Sequence, residues 1–180
     1  MALAFGFLPV LLFLVCLFML DSFKLVRTFW LVICLGWGML AALLSYFANQ
    51  GFANAFDLDF LMLSRYIAPV SEELIKGLIV FFLISRKKAG FMIDAAIYGF
   101  AAGTGFALAE NSWYYWQLGS GFDVILAIVR GFGTALMHGG TTAIFAILYT
   151  KGMQRSTKAW LPILLGFGTA ALIHSLFNHF

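Results

Sequence analysis

Charge is what this sequence lacks most. Asp, Glu, Lys and Arg make up 11% of the 180 residues and hydrophobic residues 63%, with a mean hydropathy of +0.97. Soluble domains carry roughly 25% charged and roughly 45–50% apolar residues, so a water-soluble fold is excluded. Cysteine is equally sparse. Cys16 and Cys34 both stand in apolar runs, without the spacing of a metal site or a disulfide framework, and read as membrane-packed thiols. There is no internal repeat, no low-complexity tract and no HExxH pair of the kind that opens many zinc hydrolase sites. No positive residue precedes the first apolar run, whereas Lys24 and Arg27 follow it. That is the reverse of a cleavable signal peptide, and the run is expected to be retained.

What is present is a succession of apolar runs of about 20 residues, each able to cross a ~30 Å hydrocarbon layer as a helix. The expected fold is all-α, a polytopic transmembrane helical bundle of about six spans at 3–20, 28–47, 60–84, 91–115, 124–149 and 159–180. It forms a single membrane-embedded domain over 1–180, with peripheral helices at about 3–47 and functional helices at about 60–180. Eight of the 11 basic residues fall in alternate loops: Lys24 and Arg27, then Arg86, Lys87 and Lys88, then Lys151, Arg155 and Lys158. The intervening loops hold Asp57, Asp59 and Asp123 but no Lys or Arg. By the positive-inside rule both termini are expected outside the cytoplasm. The net charge of +3 follows from this loop bias and gives no reason to invoke nucleic acid; the expected surroundings are membrane lipid. Trp30, Tyr149 and Trp160 at the inner ends, with Tyr46, Trp113 and Trp116 at the outer ends, suit interfacial aromatic belts. Residues 49–59 read as the longest outer loop.

Two rows of small residues, Ala95, Gly99, Gly103 and Ala107, and Ala127, Gly131, Ala135 and Gly139, allow close helix approach. They are read as scaffold. The chemistry lies in the polar residues between them, because the chain's three glutamates and two of its three histidines fall at membrane depth, where ionisable groups are costly and face a cavity or one another.

The third span carries Pro69-Val70-Ser71-Glu72-Glu73-Leu74-Ile75-Lys76. On a helix Lys76 is four residues from Glu72 and three from Glu73 and can reach either. The result is either a structural ion-pair cluster or a site in which Lys76 favours ionisation of one carboxylate while the other keeps a proton. Pro69 also removes an N–H and weakens the preceding turn, freeing carbonyls that need other partners. The fourth span ends in Glu110 and Asn111, and the fifth carries Arg130 and His138. Arg130 is expected to snorkel or to pair with a carboxylate. In the sixth, Gly166, Ala170, His174 and Asn178 form an i,i+4 row. His174 and Asn178 on one face suit the donors of an oxyanion site. His179 faces elsewhere.

In their order and helix placement, Glu72-Glu73-x-x-Lys76, Phe106-Ala107-x-x-Glu110-Asn111, His138 and His174-x-x-x-Asn178 resemble the PrsW family of intramembrane proteases. More distantly, they resemble the superfamily of CAAX-prenyl proteases and bacteriocin-immunity-type membrane proteins. The resemblance spans about 69–178. It implies a multi-pass protein of the bacterial plasma membrane that cuts a membrane-spanning or membrane-associated protein, an anti-sigma factor in the best-known case. It also implies a site made of Glu72, Glu73, Glu110, His138, His174 and Asn178, supported by Lys76, Asn111 and Arg130.

The expected reaction is hydrolysis of a peptide bond near the outer leaflet by glutamate-activated water. Glu72 or Glu73 acts as base with help from His138, His174 and Asn178 stabilise the oxyanion, and Glu110 holds a histidine or the water. A zinc-dependent variant would use His138, His174 and Glu73 as ligands. Outside the enzymes, the same residues fit an ion- or proton-coupled transporter or a non-catalytic immunity or scaffold protein.

Overall fold

The computed structural model describes residues 2–118, 124–155 and 160–180. Asp123 and Lys158, counted in the loop charge pattern, and Ala159, the expected start of the last span, lie outside the described residues. Every described element is helical: α1 (Ala2–Met19), α2 (Thr28–Phe56), α3 (Phe60–Met62), a π-helical segment (Leu63–Ile67), α4 (Ala68–Ser85), α5 (Met92–Leu118), α6 (Val124–Arg155) and α7 (Trp160–Phe177). Four stretches are long and apolar enough to cross a membrane: Thr28–Phe56, Met92–Gln117, Ala127–Arg155 and Trp160–Phe177. The protein is an integral membrane protein. The apolar run of α4 is broken by Glu72, Glu73 and Lys76, and α1 is shorter in its apolar part.

α5 is the centre of the bundle, with 72% of its span buried against 22% for α2 and 28% for α7. It packs on α6, α2, α1 and α4, and α6 in turn packs on α7, α1 and α4. The small-residue rows explain the closeness of these contacts. A Cβ at Gly103 would overlap the backbone of His138 and Gly139, and one at Gly99 would come within 2.8 Å of the Thr142 carbonyl. Only glycine allows α5 and α6 to meet here, and the meeting point fixes the height of His138. Outward faces are apolar, with Leu12, Val32, Leu43, Val129 and Leu172 exposed to what is lipid in a membrane.

Three sequence expectations change. The second helix does not stop at 47, because residues 48–56 hold no proline and no charge; it runs on to Phe56 and ends where Asp57 adopts a left-handed φ of 50°. Most of the expected outer loop is therefore helix. Tyr149 is not an interfacial aromatic: it is 2% exposed and stacked on Phe81 and Phe145. Lys151 and Arg155, expected in a loop, are carried on the last turns of α6.

The third span is not one regular α-helix. Pro69 has no N–H to offer the Arg65 carbonyl, and the Ala68 N–H passes over Ser64 to bond the Leu63 carbonyl. The helix widens to a π turn, leaving the carbonyls of Ser64 and Arg65 without their helical partners. The end of α7 satisfies both: Ser175 Oγ donates to Arg65 O at 2.6 Å and Asn178 Nδ2 to Ser64 O at 2.9 Å. His179 adds contacts to Tyr66 through its Nε2 (3.3 Å from the hydroxyl) and its ring. The π segment that leads into α4 is thus stitched to the end of α7, at the end of the bundle where α4 begins and α7 finishes, the upper end.

Candidate active site

Just below that seam, α4, α5, α6 and α7 bring together Glu72, Glu73, Lys76, Glu110, His138 and His174. Lys76 is wholly buried, and Glu73, His138 and His174 are nearly so. Of the two carboxylates within its reach, Lys76 Nζ takes Glu73, at 2.6 Å. The same Glu73 Oε1 receives Thr141 Oγ1 at 3.0 Å and lies 2.9 Å from His174 Nδ1. Glu73 is therefore the anchor of the cluster, tied to α4, α6 and α7 at once.

The tautomers follow from the donor inventory. A carboxylate oxygen only accepts, so His174 Nδ1 carries the proton toward Glu73, and in the neutral ring Nε2 then offers a lone pair. That lone pair faces Glu72 Oε2 at 3.8 Å. An ammonium only donates, so Lys76 Nζ, 3.0 Å from His138 Nδ1, makes that nitrogen an acceptor. His138 Nε2 then donates to Glu110 Oε2 at 3.2 Å. The two imidazole rings stand edge to face with centroids 4.8 Å apart, and Phe106 packs on His138.

Glu72 differs from its neighbour. Its Oε1 accepts from Asn49 Nδ2 at 3.2 Å, and Asn49 is itself held by Ser71 Oγ. Its Oε2 is buried with no hydrogen-bond partner among the described residues. An orphaned carboxylate oxygen is expensive and marks where a further group belongs. Ligand atoms of Glu72, His138 and His174 lie within 4.8 Å of one another. Two imidazoles and a carboxylate are a common zinc donor set, and the proton of His174 Nδ1 on Glu73 is the outer hydrogen bond that such ligands usually have. These residues fit a metal ion. The glutamate in the set is Glu72, not the Glu73 expected from the sequence, because Glu73 is already committed to three donors.

Two further expectations are corrected. Asn178 does not share an oxygen with His174: its amide is spent on the Ser64 carbonyl, and both His174 nitrogens face carboxylates. Arg130 forms no ion pair within 4 Å among the described residues; its guanidinium lies 3.6 Å above the Tyr114 ring centroid. Asn111 ties α5 to α6 by donating to Thr134 Oγ1 at 2.8 Å, which in turn donates to Arg130 O at 2.6 Å. Asn111 stands beside the site rather than in it.

Sequence reasoning passed over Asn49, Ser71 and Thr141 as site residues. Thr141 had a signal, since it lies one turn after His138 on the same face. Asn49 had none, because its place was read as loop.

A sequence model described as PrsW family intramembrane metalloprotease matches residues 27–180. No curated protein and no solved structure matches. The matched stretch covers every helix that contributes to the site, and the chain belongs to the PrsW family of intramembrane proteases.

Proposed function

We propose that this chain hydrolyses a peptide bond in a membrane-associated protein at the Glu72, His138 and His174 cluster, with Glu72 as the base. The observation that carries the reading is Glu72 Oε2, a buried carboxylate oxygen with no hydrogen-bond partner among the described residues, facing His174 Nε2 across 3.8 Å. A water between these atoms has two acceptors for its protons and presents its own lone pair outward. Asn49 and Ser71 fix Glu72 through its other oxygen.

His138 is the donor of the site. Its Nε2–H, which donates to Glu110, is placed to donate a hydrogen bond to the developing oxyanion, while the proton that Glu72 takes from the water passes to the leaving amine. Lys76 and Thr141 act through Glu73 and the imidazoles as positioning residues.

The ion implied by the family would be held by Glu72, His138 and His174. It would supply Lewis-acid polarisation of the scissile carbonyl. In that loaded form Glu72, His138 and His174 would serve as ligands rather than as base, donor and acceptor, and Glu110, 3.2 Å from His138 Nε2, would be the nearby carboxylate free to take up a proton. The finer picture is a multi-pass protein of the bacterial plasma membrane with both termini outside the cytoplasm, cutting a single-span, anti-sigma-factor-like protein near the outer leaflet. It is supported by the alternation of basic and acidic loops and by the position of the site toward the upper end of the bundle.

The test is reconstitution in liposomes with candidate single-span substrates. Wild type is expected to cleave, and the Glu72→Gln and His138→Ala variants are not. Metal analysis of the purified chain separates the two forms: one ion per chain, lost in Glu72→Gln, makes Glu72 a ligand, and active protein without an ion leaves it the base. Solute flux through wild-type liposomes with no cleavage of any membrane protein would contradict the reading.

A further inference from the structure

The seam between α4 and α7 is closed at its upper end by the Ser175, Asn178 and His179 contacts and, one turn lower, by His174 on Glu73. Below Glu73 it parts. A cavity of about 510 Å³ lies there, lined by Glu73, Gly77 and Leu78 of α4, Phe145 of α6, and Leu164 and Phe167 of α7, among others. This is within the roughly 300–1,000 Å³ of built binding sites. Its floor is the Phe145 ring, pressed against two glycines: a Cβ on Gly77 would come within 3.0 Å of it, and so would one on Gly166. Its rim is open, with Leu78 49% and Leu164 57% exposed. Apart from Glu73 at its upper end, the residues that line it are glycine or predominantly apolar.

The hydrolytic residues are enclosed by protein, with Glu72 9% exposed and His138 1%. A membrane protein substrate must reach them from the bilayer. The groove ends on the wall of that site through Glu73, and it is open along the lipid-facing side of α4 and α7. We propose that it seats an apolar run of the substrate immediately below the scissile bond, with bulky aliphatic or aromatic side chains on the Phe145 floor. The assignment rests on the protease reading of the site. From Glu73 to Phe81 is eight residues of helix, about 12 Å at 1.5 Å per residue, enough for about four extended substrate residues at ~3.3 Å each. The groove is then the determinant of which membrane segments are cut, and Glu73 joins it to the chemistry.

The experiment compares two substrates in liposomes: a single-span protein, and a short peptide with the same scissile bond but lacking the apolar run below it. Leu78→Trp and Leu164→Trp fill the groove from residues outside the hydrolytic cluster. Each is expected to lower kcat/KM for the single-span protein at least tenfold, through KM, and to leave peptide cleavage unchanged. Replacing the substrate's apolar run with serine should lower its cleavage by wild type to the same extent, with no further loss in Leu78→Trp. Unchanged cleavage of the single-span protein by both tryptophan variants would overturn the groove assignment while leaving the protease reading intact, and would assign the cavity to lipid chains. Parallel loss on both substrates would also overturn it. Should the tryptophan variants fail to fold, the serine series on wild type decides alone: cleavage indifferent to the apolar run overturns the proposal. A wild type that cuts neither substrate overturns the protease reading and the groove with it.

Discussion

The adjacent glutamates are predicted to fail in opposite ways. In Glu73→Gln the wholly buried Lys76 ammonium loses the carboxylate 2.6 Å away, and Thr141 and His174 lose their shared acceptor. Removing one partner of a buried ion pair costs about 3–5 kcal/mol, because the remaining charge is left without compensation. That is a large part of a typical total stability of roughly 5–15 kcal/mol. At about 2–4 °C per kcal/mol for a chain of this size, the unfolding midpoint should drop by roughly 6–20 °C. In Glu72→Gln the changed Oε2 position has no partner to lose, and Oε1 can still accept from Asn49. Stability should move by less than about 1 kcal/mol, while cleavage is abolished. The assay is thermal unfolding in detergent, paired with cleavage in liposomes. Glu73→Gln combined with Lys76→Met removes both charges and should recover most of the lost midpoint without recovering activity. A stable Glu73→Gln, or a Glu72→Gln that unfolds like it, would refute the division of labour between base and anchor.

Three other outcomes follow from the same geometry. Asn49→Leu removes the hydrogen bond that fixes Glu72, worth about 1.5–3 kcal/mol for a charged acceptor, and should lower kcat by roughly ten- to a hundredfold with KM little changed in steady-state cleavage. Gly103→Val forces α5 away from the His138 backbone and should cost about 1–3 kcal/mol of overpacking, read as a lower unfolding midpoint with loss of cleavage. Ser175→Ala leaves the Arg65 carbonyl of the π turn with one donor fewer, at about 1 kcal/mol, and should raise amide hydrogen exchange locally in residues 63–68.

Much of this architecture is legible in the sequence because membrane burial makes polar residues informative. Glu72, Glu73, Glu110, His138 and His174 stand out as costly residues, and the structure gathers them. Their division of labour is not legible. Lys76 lies within helical reach of both carboxylates, and only the packing of α6, which brings Thr141 and His138 against α4, decides in favour of Glu73. Asn178 shows the opposite limit. Its i,i+4 relation to His174 is real, since its backbone N–H bonds the His174 carbonyl. The proline-induced π turn on another helix claims its side chain, and helical periodicity within α7 does not contain that fact. The effect of Pro69 on its own turn was foreseeable from chemistry; the source of the compensating donors was not. Asn49 was hidden because length alone suggested that α2 ends near 47, whereas nothing in the chain stops the helix before Phe56.

The most direct measurement is cleavage of a reconstituted single-span substrate in oxygen-18 water, with mass spectrometry of the product's new carboxyl terminus. Wild type should yield a defined cut carrying one heavy oxygen, and folded Glu72→Gln should yield none. A Glu72→Gln variant that makes the same labelled product at the wild-type rate would contradict the assignment of Glu72 as the base on which the whole account turns.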